Sequence, residues 1–105
     1  MKNVEVIFSP EAEEIYKYLN EQAPKSKNEK IILNAVKNKI EFIKSNFHYG
    51  DPIAKKLIPD EYKLKYSITN LFRVELPNFW RMVYTLTEGE SKIEIRHFCK
   101  IGDIP

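Results

Sequence analysis

Leu71-Phe72-Arg73-Val74-Glu75-Leu76-Pro77-Asn78-Phe79-Trp80-Arg81-Met82-Val83-Tyr84-Thr85-Leu86 is the stretch that decides the fold. Before it, apolar residues recur at helical spacing; within it they alternate with a period of about two. Phe72, Val74 and Leu76 alternate with Leu71, Arg73 and Glu75. Pro77-Asn78 interrupts the run with turn chemistry. Trp80, Met82, Tyr84 and Leu86 then alternate with Arg81, Val83 and Thr85. Beyond the polar, glycine-containing turn Thr87-Glu88-Gly89-Glu90-Ser91, Lys92 to Lys100 sets Ile93 and Ile95 against Lys92, Glu94 and Arg96. Strands joined in sequence by short turns predict an antiparallel meander.

Toward the N-terminus, Asn3 to Phe8 is rich in branched residues and reads as a strand. Ser9-Pro10-Glu11 starts a helix, with Ser9 as cap, Pro10 in the first helical position and Glu11, Glu13 and Glu14 at the positive end of the dipole. Ala12, Ile15, Tyr16 and Leu19 share one helical face, and Ala23-Pro24 ends the helix near Gln22. Ser26 and Glu29 have capping-box spacing. Behind them Ile32, Val36, Ile40, Ile43 and Phe47 form a second stripe, while Lys30, Lys37 and Lys44 line a solvated back. His48-Tyr49-Gly50-Asp51-Pro52 breaks the pattern. The segment from Ile53 to Asn70 has a turn at Pro59-Asp60, a short helix over about 61–66, and four lysines, Lys55, Lys56, Lys63 and Lys65. The expected fold is α+β, in the order β-α-α-β-β-β over a single domain, residues 1–105: a twisted antiparallel sheet with an N-terminal helical hairpin packed on one face.

Composition sets the outer limits. A chain of 105 residues, 43% hydrophobic and 30% charged, suffices for one core and excludes disorder as its main state. No apolar run approaches the roughly 20 residues of a membrane helix, and no apolar segment follows Lys2 as in a signal peptide. Cys99 is the only cysteine, which excludes an internal disulfide and a cysteine-built zinc site and points to a reducing, cytoplasmic setting. The net charge of +2 does not argue for nucleic acid. The arginines Arg73, Arg81 and Arg96 all lie in the C-terminal half, however, and arginine is the side chain suited to bidentate phosphate contacts.

Most catalytic templates fail on these residues. The three glycines are isolated, so no phosphate-cradling loop is present. His48 and His97 are far apart and have no acidic cluster beside them, which leaves no metal site. Cys99 reads as a small core residue. Arg81, a cation inside the apolar run Phe79 to Tyr84, has two readings: an ion pair with Glu75 across the hairpin, or, with Arg73, a phosphate grip on an open sheet face.

The runs Asn70 to Leu76, Trp80 to Leu86 and Ile93 to Lys100 resemble the RelE/ParE toxin superfamily: a strand with a basic residue after an aromatic one, an Arg-apolar-apolar-Tyr strand matched by Arg81 to Tyr84, and a last strand ending in a basic residue. The N-terminal strand and helix pair agree in order, and Lys55-Lys56-Leu57 is similar to the basic stretch before the sheet. The resemblance implies a toxin of a type II toxin–antitoxin system, an endoribonuclease that cleaves mRNA at the ribosome by attack of a 2′-hydroxyl on the adjacent phosphate. It implies no metal, no cofactor and no obligate small-molecule ligand, and as partners an antitoxin protein, mRNA and the ribosome, with no membrane. Arg81, Arg73 and Lys100 are the catalytic residues it implies, and Lys55, Lys56, Lys63, Lys65 and Arg96 the RNA-binding ones. Two features depart from the family pattern: Glu75 stands at a second basic position, and no tyrosine follows Lys100. They keep two alternatives open, a ParE-like inhibitor of DNA gyrase without enzymatic activity, and a member that only binds an antitoxin.

Overall fold

The computed structural model describes residues 4–66, 68, 70–87 and 92–100, with 65–66 and 99–100 described by their backbone alone. In chain order the elements are β1 (Glu5–Phe8), α1 (Pro10–Gln22), α2 (Lys27–Ser45), β2 (Asp51–Pro52), α3 (Asp60–Tyr66), β3 (Phe72–Glu75), β4 (Trp80–Thr87) and β5 (Lys92–Lys100). A single 3-10 turn lies at Lys55–Leu57, and Pro77–Phe79 forms the tight turn between β3 and β4. The fold is α+β: a five-stranded sheet in the order β1-β5-β4-β3-β2, with the α1–α2 hairpin packed against it.

The meander β3-β4-β5 is antiparallel, as its alternation predicts, but the sheet is not purely antiparallel. β1 lies parallel to β5, pairing Glu5 with Lys92 and Phe8 with Ile95. A hairpin forces antiparallel pairing; β1 and β5 are separated by nearly the whole chain, so no turn constrains their direction. The expected break at 48–52 also contains a strand. Asp51 and Pro52 pair with Arg73 and Phe72 at the sheet edge, where Pro52 needs no amide hydrogen.

Both helices begin as their sequences predict. Ser9, the cap of α1, accepts from the Ala12 amide at 3.2 Å and donates to the Arg96 carbonyl at 2.7 Å, while its own amide bonds the Ile95 carbonyl at 2.9 Å. One hydroxyl thus caps a helix and ties it to β5. At α2 the Ser26 hydroxyl donates to the Glu29 carboxylate, the two members of the capping box, and the Ser26 side chain accepts no backbone amide of the helix. Ala12 and Leu19 of α1 and Ile32, Leu33, Val36 and Ile43 of α2 join Phe72, Val74, Leu76, Met82, Tyr84, Leu86, Ile93, Ile95 and Phe98 in the main core.

Tyr84 anchors that core to the loop after α2. Its ring stacks on Phe72 at 5.1 Å, its hydroxyl donates to the Phe47 carbonyl at 2.8 Å, and it accepts the Gly50 amide at 2.9 Å. Gly50 allows this approach, because a Cβ there would lie 2.9 Å from the Arg73 carbonyl oxygen and 2.9 Å from the Tyr84 ring.

The second face of the sheet is partly covered, contrary to the open face expected there. Described residues between β2 and β3 cover it, with Ile58, Ile68 and Leu71 buried against Val83 and Ile53 and Tyr62 packed alongside. Thr85 is buried on the same side and bonds the Asn70 carbonyl at 2.7 Å. The Asn70 side chain also pairs with both backbone groups of Leu86, so it continues the ladder where β3 has ended. β4 is central and covered on both faces, which is why its alternation does not produce alternating burial.

Candidate functional site

The register places Glu75 opposite Arg81, Arg73 opposite Val83, and Val83 opposite His97. Directly opposed residues share a sheet face, with Cβ atoms about 5 Å apart. Arg73, Glu75, Arg81 and His97 therefore lie on one face, on the side away from the α1–α2 hairpin, around Val83. Arg73 and Glu75 are exposed and His97 is half-buried.

Arg81 takes the first of its two sequence readings. Its Nε lies 3.2 Å from Glu75 Oε1, with 22% of the Arg81 side chain and 58% of the Glu75 side chain exposed. Arg73 shares the face, as expected, and its strand also borders a cleft of about 190 Å³ at the β2–β3 edge. Lys39, Tyr49, Asp51, Arg73 and Glu75 line that cleft. Lys39 Nζ sits 3.1 Å from the Tyr49 hydroxyl and 5.5 Å from the centre of the Tyr49 ring. Nothing in the α2 stripe singles out Lys39.

The lysines of the segment between β2 and β3 border the same face. Lys55, Lys56 and Lys63 are exposed on a segment whose Ile58, Tyr62 and Ile68 pack toward Val83. The Lys65 side chain lies outside the described residues. Arg96 requires a correction: it is not an open-face cation. It is 5% exposed, its Nη1 is 3.2 Å from Glu94 Oε1, and its guanidinium lies 5.4 Å from the centre of the Tyr62 ring. The cause is a register shift between Val83 and Tyr84, which makes Arg96 the extra residue of β5 and tucks it beneath α3. Lys100 also falls differently from expectation. The register pairs it with Trp80, whereas Arg81 pairs with Cys99, so Lys100 is one position out of step with the arginine it was to assist. The side chains of Lys100 and Cys99 lie outside the described residues.

Two ionisable groups away from this face are shifted by their surroundings. The carboxyl of Glu11 is held below its usual range, chiefly by its own backbone amide, with smaller contributions from the Ser9 hydroxyl and the Arg96 guanidinium. Tyr84 is shifted the other way: burial raises its hydroxyl, against a smaller lowering by the Gly50 amide. It serves as a structural clamp, and not as an acid or base for this face.

Chemically, the arrangement combines two guanidinium groups suited to a phosphate with a carboxylate and an imidazole suited to moving protons. Among the described residues no group of three His, Cys, Asp or Glu side chains is arranged to hold a metal ion, and no helix is long and apolar enough to cross a membrane. Compared with known proteins, the chain matches no family model, no curated protein and no solved structure.

Proposed function

We propose that this chain is a RelE-like toxin, an endoribonuclease that cleaves mRNA at the ribosome and is held inactive by a cytoplasmic antitoxin. The observation that carries the reading is that Arg73 and Arg81 share one sheet face bordered by the exposed lysines Lys55, Lys56 and Lys63. The reaction needs no group outside the RNA and the protein. A ribose 2′-oxygen attacks the adjacent phosphorus and the bond to the 5′-oxygen breaks, leaving a cyclic phosphate and a 5′-hydroxyl. Arg81 and Arg73 neutralise the charge that accumulates on the phosphate oxygens. Glu75, beside Arg81, takes the 2′-hydroxyl proton; His97, on β5 of the same face, returns one to the leaving 5′-oxygen. Lys100, out of register with Arg81, has no step in this scheme.

The Glu75–Arg81 pair favours a second reading, because a guanidinium already neutralised by a carboxylate has less charge to offer a phosphate. In that reading the chain is a ParE-like protein that inhibits DNA gyrase without cleaving RNA. Primer extension on mRNA from cells expressing the protein, with gyrase supercoiling measured in parallel, separates the two. Discrete cleavage within codons supports the ribonuclease; loss of supercoiling with intact message overturns it.

A further inference from the structure

The β3–β4 turn holds an aromatic ring in solvent at a local cost. Trp80 donates its amide to the Pro77 carbonyl, and between them Asn78 has φ 59° and Phe79 φ 64°. These are the only non-glycine residues with positive φ among those described. Asparagine tolerates this left-handed region; phenylalanine rarely adopts it, because its Cβ crowds the following carbonyl. Packing does not compensate, since Phe79 is 76% exposed. Neither local conformation nor the core accounts for a phenylalanine here, and an unexplained strained position is where a binding role is to be sought.

Its surroundings indicate what binds. The Asn78 side chain is hydrogen-bonded to that of Asn28, which fixes the tip of the turn against the first turn of α2. That turn carries the exposed Lys27 and Lys30, and with Lys25 they line an open cavity of about 550 Å³. Arg81 follows Phe79 by two residues on β4. A flat, exposed ring on a turn tied to the lysine-bearing start of α2 suits a single-stranded nucleic acid, with a base on the ring and phosphates on the lysines. The contact that ties the turn to α2 is polar, Asn78 with Asn28, and the exposed side chains beside it on α2 are the cations Lys27 and Lys30, which favours a nucleic acid over an apolar protein anchor.

We infer that Phe79 is a stacking platform for one base of single-stranded RNA, with Lys27 and Lys30 holding the adjoining phosphates. The inference rests on the RNA-binding reading above and assigns it a further contact outside the Arg73–Arg81 face.

The test is fluorescence anisotropy of the full chain with an unstructured RNA of roughly eight nucleotides, with thermal melts of the same samples. Phe79→Ala weakens binding by about ten- to a hundredfold, and Phe79→Trp restores it. Phe79→Gly melts at a higher temperature than the parent, because glycine accepts φ 64° without strain, yet binds RNA as weakly as the alanine variant. That opposition is one a merely structural role does not produce. If Phe79→Ala binds RNA as the parent does, the inference fails while the proposed function stands. Loss of capture of a co-expressed protein with RNA affinity intact overturns it in favour of a protein anchor. A parent chain that binds no RNA at low salt overturns this inference and the ribonuclease reading together.

Discussion

Glu75 and Arg81 are directly opposed on β3 and β4, and their side chains meet at 3.2 Å in a partly exposed ion pair. The pair is one of proximity more than of strength. Exposed pairs contribute about 1 kcal/mol or less, so its importance is in what Arg81 can offer a ligand.

Arg81→Ala is expected to leave the fold stable to within about 1 kcal/mol in denaturant titrations. Loss of a fixed charge at a reacting phosphate lowers ribosome-dependent cleavage by about 10²–10³-fold. A folded variant with unchanged cleavage would reduce Arg81 to the ion pair alone.

Glu75→Gln separates charge from proton transfer. Removing the carboxylate charge beside Arg81 leaves more net positive charge for a phosphate, so RNA affinity rises by about two- to fivefold at low salt, while cleavage falls if Glu75 takes the 2′-hydroxyl proton. Tighter binding with faster cleavage would show that Glu75 restrains the site and does not act as its base.

Arg96→Ala is expected to act on stability. Its guanidinium is buried between Glu94, itself partly exposed, and the Tyr62 ring, and losing a charge-assisted hydrogen bond of this kind costs about 1.5–3 kcal/mol. The exposed Lys55, Lys56 and Lys63 behave the opposite way: each alanine substitution leaves stability unchanged and lowers the salt slope of RNA binding by about 0.7. Equal slopes for the parent and the lysine variants would remove the segment between β2 and β3 from the RNA path.

Tyr84→Phe strands the Phe47 carbonyl and the Gly50 amide, at about 1–3 kcal/mol. The pH dependence has a definite sign. The folded-state value of Tyr84 is raised above the ordinary 10.0, so below that pH its contribution to stability is complete, and it is lost as pH rises through the folded value. The parent therefore loses stability at alkaline pH more steeply than Tyr84→Phe does; parallel urea titrations across that range compare them directly.

The sequence discloses what short-range chemistry determines. Ser9-Pro10 starts α1, the Ile32-to-Phe47 stripe defines α2, and the alternation from Leu71 builds the meander, because each depends on neighbours a few residues apart. What stays hidden depends on distant partners. β1 is parallel because it joins β5, β2 is too short to show a period, and Arg96 is buried by one extra residue in a register. The Glu75–Arg81 pair lies between these cases: hairpin spacing made it available, and only the register selected it. Phe79 was illegible for another reason, since its backbone conformation opposes the preference of its own side chain.

The joining of β1 to β5 has a consequence for how the chain acquires its shape during synthesis. Glu5 to Phe8 find their strand partners only at Lys92 to Ile95, and the Ser9 hydroxyl meets the Arg96 carbonyl across 87 positions of sequence. Closing so long a loop is entropically costly and slow, and it cannot begin while the ribosome still holds the later residues. Until then α1 and α2 have only each other to cover Leu19, Ile32, Val36 and Ile43. The nascent chain thus carries β1 unpaired until β5 emerges, and the sheet is completed when β1 joins β5 and becomes its edge.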